Sequence, residues 1–288
     1  MLGRVLSSIL RGTISASHKS GIELVGRQTV ALPPRSTPKL EKSSRFFAPA
    51  FWGAKDPQRF RAALDILAEE APDGLHAADN LVTIGRNNSM FDDESFVQAW
   101  RANIESEVDE AVVWRRYVLA CAAFHCVQLD GDFVECGANA GVGVKTVVDY
   151  LGGRQFPKQF WAYDLFEHSA EMLNHAMPEH GPGLFARVQA KFEGYTQVHL
   201  VKGAVPGSLE GNSPERIAYL HIDMNQAPAE VAALDALFDR VVPGGIVILD
   251  DYEWLAYRQQ KLAEDEWFDR RGYRVMPLPT GQGLVFKR

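Results

Sequence analysis

The second half of the chain alternates short apolar runs with helical stretches, and this alternation constrains the fold more than any other feature. A helix between two buried strands lets those strands pair in parallel, with helices covering both faces of the sheet. The sequence therefore predicts an α/β fold with a doubly wound, mostly parallel sheet of seven strands. The predicted strands are 132–135, 160–164, 197–201, 217–222, 246–249, 273–278 and 283–287, and the last two form an antiparallel ending.

Helices are predicted between these strands and ahead of them. The clearest covers 228–241 and begins at Pro228, because proline suits the first turn of a helix and apolar residues then recur on one face. Pro243-Gly244-Gly245 is interpreted as the signal that ends it. Arg115 and Arg116 mark a basic side of the helix predicted at 107–127. The other predicted helices cover about 57–72, 93–102, 142–151, 169–176 and 254–271.

The composition divides the chain into three regions. Residues 1–50 are predicted to be a basic, disordered arm and linker, residues 51–128 a helical extension or lid, and residues 129–288 the domain that contains the sheet. Residues 1–45 carry eight basic and two acidic side chains, although the whole chain has a net charge of −7. The start of the arm fits an organellar targeting peptide, a disordered arm or a helix that lies on a surface.

The composition also excludes several classes of protein. No run approaches the roughly 20 apolar residues that span a bilayer, so no integral membrane association is expected. The acidic balance argues against a partner made of nucleic acid. Cys121, Cys126 and Cys136 cannot form a disulfide framework and favour a reducing compartment. We therefore expect a cytoplasmic protein, the alternative being import into an organelle through the basic segment.

Ligands of an open parallel sheet bind at the carboxyl ends of its strands. The first predicted strand ends at Glu135, and Gly137 to Gly141 then form a Gly-x-x-x-Gly turn that opens a helix. Such a turn lets a ligand approach the backbone closely, although a tight strand-to-helix connection alone would explain it equally well. The turn lacks the Gly-x-Gly-x-x-Gly pattern, which disfavours a nicotinamide-dependent enzyme.

The next two strands end in residues that suit a nucleoside. Asp164 follows the glycines at a distance typical of an acid that accepts hydrogen bonds from both ribose hydroxyls. Its alternative role is an ordinary helix cap. Lys202, Gly203 and Ala204 form a place where a base could lie against the backbone.

Three carboxylates are predicted to meet at the ends of the fourth and fifth strands. Asp223 follows one of these strands, and Asp250 and Asp251 follow the other. Carboxylates packed this closely repel one another unless a cation lies among them, and oxygen ligands suit Mg²⁺, Mn²⁺ or Ca²⁺. The alternative is that Asp250 and Asp251 only cap a helix near Trp254.

Five runs of sequence, taken in order, resemble the macrocin-type O-methyltransferase family. They are GDFVECGANAG, FWAYDLFE, VHLVKGAVPGSLEG, IAYLHIDMN and VVPGGIVILDDYEW. The resemblance extends over about 80–288 and implies a Rossmann-like class I enzyme that transfers a methyl group from S-adenosylmethionine (SAM) to sugar hydroxyls. The family is generally dimeric or larger, and the aromatic helices between 57 and 127 exceed what the sheet needs, so we expect a homo-oligomer.

The resemblance also implies roles for individual residues. Those on the methionine and ribose side of SAM are Glu135, Gly137, Gly141 and Asp164. The adenine would lie beside Lys202, Gly203 and Ala204. The divalent metal, usually Mg²⁺, would be held by Asp223, Asp250 and Asp251.

The chain departs from the family at the catalytic base, an Asp two residues after the first metal ligand, because Asn225 stands there. An amide cannot accept a proton at neutral pH, so His221, or less directly His168, is a candidate substitute; a buried strand histidine is otherwise a core residue. The predicted function is SAM-dependent O-methylation of a sugar or related polyol, a small-molecule or glycan acceptor, with help from a divalent metal. The alternative is a catalytically impaired SAM- or glycan-binding protein of the same fold.

Overall fold

Ten strands and eight α-helices make up the described part of the chain, residues 32–33, 45–71, 73–169 and 176–288 of a computed structural model. The strands are β1 (Phe46–Ala48), β2 (His76–Ala78), β3 (Leu81–Thr83), β4 (Asp132–Cys136), β5 (Phe160–Asp164), β6 (Val198–Lys202), β7 (Ile217–Ile222), β8 (Val241–Leu249), β9 (Met276–Pro277) and β10 (Gly283–Phe286). The helices are α1 (Pro57–Glu70), α2 (Glu94–Ala102), α3 (Glu107–Ala111), α4 (Val113–Cys126), α5 (Val142–Tyr150), α6 (Leu184–Lys191), α7 (Ala227–Leu237) and α8 (Arg258–Arg270).

Seven strands form one sheet in the order β6-β5-β4-β7-β8-β10-β9. The first five are parallel, whereas β10 runs antiparallel to β8 and to β9. One apolar cluster joins the sheet to α4 and α5, and a second joins its other face to α7 and α8. The predicted doubly wound α/β fold is therefore confirmed. The strand order reverses beside β4, and this is where such sheets leave a crevice for a ligand.

The strand β8 is longer than predicted. It begins at Val241, so Pro243-Gly244-Gly245 lies within the strand, and the pairing with β7 shifts register there. Gly245 suits this place because a Cβ would lie 2.9 Å from the carbonyl oxygen of Ala218 on the neighbouring strand. The interpretation of the Pro-Gly-Gly run as a helix stop was wrong, because close approach of two backbones explains the glycine.

Several predicted elements differ from the structure at their ends. α7 ends at Leu237 and a 3-10 turn leads into β8, so the predicted helix 228–241 was too long. α8 begins at Arg258 after another 3-10 turn, rather than at 254. The predicted helix 107–127 consists of α3 and α4, because the backbone leaves helical geometry at Val112. β9 is much shorter than predicted, and α6 has no counterpart among the predicted helices. The predicted helix 169–176 falls mainly on residues outside the described part.

The extension contains a small sheet that the sequence analysis did not predict. β1 pairs in parallel with β2, and β2 pairs antiparallel with β3 across a tight turn at Asp79 and Asn80. Both turn residues have a left-handed backbone (φ 52° and 54°), which Asp and Asn tolerate well. β1 falls within the region assigned to the arm, so the extension includes residues before 51; the division into three regions otherwise stays a prediction.

The interpretations of the basic arm concern residues 1–31 and 34–44, which lie outside the described residues. Among the described residues, no helix combines the length and the apolar character that a bilayer crossing requires.

Candidate functional site

Two adjoining cavities open at the carboxyl ends of the parallel strands. The β5 cavity, of about 550 Å³, lies beyond the ends of β5 and β6. The β8 cavity, of about 530 Å³, lies between the ends of β7 and β8 and the helices α3 and α4. Both are lined by Gly137, Asn139, Met177, Asp223 and Asn225. Ligands bound in the two cavities would therefore meet beside Asp223 and Asn225.

The loop after β4 packs directly against the end of β7. Gly137 has a φ of 100°, and a Cβ at this position would lie 1.7 Å from the carbonyl oxygen of Asp223. Gly141 (φ 75°) precedes α5 and lies against Phe192, whose ring a Cβ would approach to 2.8 Å. Gly137 lines both cavities and Gly141 lines neither, so the two glycines of the motif have different surroundings.

Asp164 lines the β5 cavity and also fastens the loop after β4. One carboxylate oxygen accepts a hydrogen bond from the backbone N–H of Asn139 (2.8 Å), and the other accepts one from Phe166 (2.5 Å). Burial raises the pKa of Asp164 above its usual value. The carboxylate thus has its backbone partners in place and can accept further hydrogen bonds only on its remaining lone pairs.

Two of the three residues predicted beside a base line the β5 cavity, namely Gly203 and Ala204. Lys202 lines neither cavity, and its partly exposed side chain forms an ion pair with Glu167 (2.7 Å). Only the backbone that follows β6 therefore reaches the cavity.

The three predicted metal ligands line the β8 cavity, but their surroundings differ. Asp250 accepts a short hydrogen bond on each carboxylate oxygen, because Arg115 Nη1 donates to one oxygen and Gln282 Nε2 donates to the other, both at 2.8 Å. Burial acts to raise the pKa of Asp250, but the Arg115 guanidinium, His221 and Arg116 together outweigh burial and hold the pKa well below its usual range.

Arg115 was missed as a site residue, because the basic side of this helix was not expected to face the acids. Its guanidinium binds both oxygens of Asp79 (2.8 and 3.0 Å) and lies 2.8 Å from Asp250 and 3.5 Å from Asp251. It also lies over the ring of Trp254. The available signal was a pair of arginines in an otherwise apolar helix, since a buried guanidinium requires carboxylate partners.

Asp251 is compensated less well than Asp250, because Arg115 lies farther from it (3.5 Å), and Asp223 has no ion pair with any described residue. Burial and the neighbouring Asp250 raise the pKa of Asp251 to about 7, and burial with the same neighbours raises the pKa of Asp223 well above its usual value. One ligand atom each of His221, Asp223 and Asp250 lie within 4.8 Å of one another. Asp223 and Asp250 therefore lie close enough to share a cation, and a cation beside them would also lower the raised pKa values of Asp223 and Asp251.

His221 is enclosed between two carboxylates. It is fully buried, with Nδ1 3.0 Å from Glu135 Oε2 and Nε2 3.4 Å from Asp250 Oδ1. Burial lowers the pKa of His221, but the two carboxylates outweigh burial and raise it to about 10. A protonated imidazole that lines neither cavity does not fit the role of a substitute base. His168 lines neither cavity either and stacks beside His180.

Asn225 faces both cavities from a left-handed backbone conformation (φ 58°). Its side-chain oxygen is buried and has no hydrogen-bond partner among the residues that the structure describes. Glu230 in the first turn of α7 holds the loop, because it accepts hydrogen bonds from the backbone N–H of Met224 (3.1 Å) and from Gln260. Hydrogen bonds of Glu230 thus hold the loop that carries Asn225, whose amide oxygen keeps an unused acceptor.

An aromatic wall closes the β8 cavity on the side of the extension. Trp52 and Trp254 meet edge to face with ring centroids 5.7 Å apart, and Tyr257 lines the same cavity. Asn80 fixes Trp52, since its side chain both accepts from and donates to the Trp52 backbone (2.6 and 3.0 Å). The extension thus contributes directly to the cavity.

Comparison with known proteins places this arrangement in a family. A sequence model of the macrocin-O-methyltransferase (TylF) family matches residues 119–272, more than half of the chain. The chain belongs to the macrocin-O-methyltransferase family. This confirms the resemblance on which the site residues were assigned.

One curated relative and two solved structures resemble this family member. The relative is the 8-demethyl-8-(2,3-dimethoxy-α-L-rhamnosyl)-tetracenomycin-C 4′-O-methyltransferase of Streptomyces olivaceus, 31% identical over 153 residues that cover 44% of this chain and 58% of that protein. The O-methyltransferase NovP is 17% identical, with a TM-score of 0.52 over 62% of this chain and 81% of that one. The calicheamicin methyltransferase CalS11 is 16% identical, with a TM-score of 0.50 over 67% and 91%. At these identities the two structures support the fold alone.

The family motif and the geometry coincide only in part. In this macrocin-O-methyltransferase family member, nine of the predicted site residues line one or both cavities: Glu135, Gly137, Asp164, Gly203, Ala204, Asp223, Asn225, Asp250 and Asp251. The other three, Gly141, Lys202 and His221, line neither. Residues that the sequence did not identify include Arg115, Arg116, Glu230 and Trp52, because tertiary contacts between the extension, the sheet and α7 define them.

Proposed function

We propose that the protein is a SAM-dependent O-methyltransferase that acts on a hydroxyl of a sugar or related polyol. The observation that carries the proposal is the junction of two cavities at Asp223 and Asn225, because methyl transfer needs a donor and an acceptor that meet in line. In the reaction the acceptor oxygen forms a bond to the methyl carbon, the bond from that carbon to sulfur breaks, and S-adenosylhomocysteine (SAH) and a proton are released.

The β5 cavity suits the nucleoside part of the donor. Asp164 would accept hydrogen bonds from the ribose hydroxyls on its remaining lone pairs, and Gly203 and Ala204 offer backbone against which a planar base can lie. Gly137 lets the sulfonium end reach the β8 cavity, since no side chain can stand at that position.

The β8 cavity suits the acceptor. Its wall of Trp52 and Trp254 offers flat apolar surface, while Asp223 and Asp251 offer oxygens for polar groups. A sugar ring presents this combination of an apolar face and a rim of hydroxyls. The Streptomyces olivaceus relative is named for transfer to a rhamnosyl group, which makes rhamnosides the first acceptors to test.

A divalent cation, with Mg²⁺ as the first candidate, is part of the proposal. Five carboxylates surround three positive groups at this edge of the sheet, which leaves an excess of two negative charges: Glu135, Asp79, Asp223, Asp250 and Asp251 against Arg115, Arg116 and His221. Asp223 and Asp251, with Asp250 beside them, would hold the ion. When bound, such an ion makes a coordinated hydroxyl more acidic.

Asn225 would orient the acceptor. Its unpartnered side-chain oxygen can accept a hydrogen bond from the reacting hydroxyl, which aligns a lone pair of that hydroxyl with the methyl group. An amide cannot retain the proton, so an acidified hydroxyl matters more here than in relatives with an aspartate. We assign no catalytic role to His221.

The test is methyl transfer measured by SAH formation over a panel of free and conjugated rhamnosides, with Mg²⁺, Mn²⁺ or EDTA. We expect transfer that EDTA abolishes while SAH binding, followed by calorimetry, persists. Asp223→Asn should reproduce the effect of EDTA, and Arg270→Gln, which removes only a surface ion pair with Glu266, serves as the matched control. Transfer at the full rate in excess EDTA would refute the metal role.

The alternative is a SAM- or glycan-binding protein that has lost catalysis, and Asn225 at the position of the base is the observation that favours it. Tight SAH binding without turnover of any acceptor in the presence of metal would support this alternative.

We also propose a homo-oligomer; a monomeric mass of 32.0 kDa by light scattering at micromolar concentration would contradict it.

A further inference from the structure

Arg116 is a positive side chain on the β8 cavity that forms no ion pair with any described residue. In the part of the chain that the structure describes, its guanidinium forms no ion pair, and its Nε is buried without a hydrogen-bond partner. The adjacent Arg115, in contrast, binds three carboxylates. A partly buried guanidinium with free donors beside a cavity is arranged to bind an anion.

Gly143, in the first turn of α5, has no side chain and therefore leaves space for the Arg116 guanidinium. A Cβ at Gly143 would lie 2.6 Å from Arg116 Nη1 and 3.6 Å from Glu135 Oε1. The guanidinium and the Glu135 carboxylate therefore flank the same stretch of backbone, next to the Gly137 loop where the two cavities join. The Arg116 guanidinium and the Glu135 carboxylate thus lie near each other on the cavity wall, but they do not form an ion pair with each other.

We propose that Arg116 binds the carboxylate of the amino-acid part of the methyl donor, and that Glu135 faces its ammonium group. This inference rests on the proposed function and names the residue that recognises one end of the cofactor. An α-amino acid carries one negative and one positive group on the same carbon, and the pair Arg116 and Glu135 is complementary to both. The nucleoside then extends into the β5 cavity.

A phosphate on the acceptor is the competing ligand for Arg116, but the surroundings disfavour it. Glu135, Asp250 and Asp251 also line this cavity, so a dianion would meet several carboxylates. A zwitterion avoids that repulsion because its ammonium group lies toward Glu135. The charges around Arg116 therefore favour the donor.

The experiment compares three ligands by calorimetry: SAM, decarboxylated SAM, which lacks only the carboxylate, and 5′-methylthioadenosine, which lacks the whole amino-acid part. Wild-type protein should prefer SAM to decarboxylated SAM by about 10- to 100-fold, the range of a charge-assisted contact. Arg116→Gln should reduce this preference to less than about threefold and leave 5′-methylthioadenosine binding unchanged, which also shows that the cavity is folded. Arg116→Lys should retain an intermediate preference, and Arg270→Gln should behave as wild type.

Two outcomes would overturn the inference in different ways. If Arg116→Gln weakens SAM and decarboxylated SAM equally, or weakens only a phosphorylated acceptor, Arg116 does not bind the donor carboxylate, while the proposed function stands. If wild-type protein binds none of the three ligands, the proposed function itself fails, and the inference fails with it.

Discussion

The buried guanidinium of Arg115 supports a strong prediction about stability. Arg115→Gln removes the cation that binds Asp79, Asp250 and Asp251 and leaves these carboxylates in a buried place. Removal of one partner of a buried ion pair costs about 3–5 kcal/mol, because the desolvated charge that remains is uncompensated. We therefore expect the free energy of unfolding to fall by about that amount in EDTA.

Urea unfolding at pH 8, followed by circular dichroism, measures the loss. Asp79→Asn in the same background should recover part of it, since one of the unpaired carboxylates is then neutral. The double-mutant cycle should give a coupling of about 0.5–3 kcal/mol for residues in direct contact. The surface variant Arg270→Gln should change the free energy of unfolding by no more than about 0.5 kcal/mol.

A second measurement compares how strongly Mg²⁺ stabilises the Arg115→Gln variant and the wild-type protein, because the variant changes the net charge of the acid cluster. Without Arg115, the acid cluster is more negative, so Mg²⁺ should stabilise Arg115→Gln more than it stabilises wild-type protein. A loss below about 1 kcal/mol in EDTA, together with no coupling to Asp79, would refute the view that Arg115 compensates the cluster.

Three further predictions concern single positions. Asp164→Ala should weaken SAM binding by about 1–3 kcal/mol, measured by calorimetry, because ribose hydroxyls lose an acceptor; unchanged affinity would contradict the ribose assignment. Gly137→Ala should lower the free energy of unfolding by about 1–3 kcal/mol or prevent folding, because its Cβ would overlap the Asp223 carbonyl; wild-type stability in urea would show that the loops separate easily. Burial and the Glu230 carboxylate raise the pKa of Glu264 from 4.5 to about 10. Between these two pH values the unfolded chain loses a proton that the folded chain keeps, so the free energy of unfolding falls as pH rises. Glu264→Gln should therefore gain stability over wild type from pH 5 to pH 8, and an equal difference at both pH values would contradict this cause.

The sequence predicted the sheet well because its signals are local. Buried parallel strands are short apolar runs. Glu135 and Asp164 lie in the last residues of β4 and β5, and Asp223 and Asp250 directly follow β7 and β8 in the chain. Helix ends were less accurate, because 3-10 turns before α8 and after α7 depend on packing rather than on periodicity. The small sheet of the extension escaped prediction, since three-residue strands carry too little pattern, although the Asp79-Asn80 pair was a turn signal.

The candidate site was harder to predict wherever it depends on contacts between distant parts of the chain. Asp223, Asp250 and Asp251 were identified because strand ends converge, but the sequence could not show that Arg115 already binds Asp250 closely and Asp251 at a longer distance. His221 was a candidate base by residue type. Its position between the Glu135 and Asp250 carboxylates raises its pKa, so the protonated imidazole bridges these two carboxylates instead. Charge balance in a buried cluster is a property of the folded chain.

The two cavities have different origins along the chain, and this has a consequence for how acceptor choice can evolve. Every residue that lines the β5 cavity follows residue 136, whereas the β8 cavity also takes Trp52 and residues between 105 and 116 from the extension. Recombination that exchanges the first 128 residues between relatives would therefore replace part of the β8 cavity, including Arg116, and leave the lining of the β5 cavity intact. The β5 cavity thus draws on the sheet domain alone, whereas the β8 cavity draws on both regions, which the contact of Arg115 with Asp250 helps to connect.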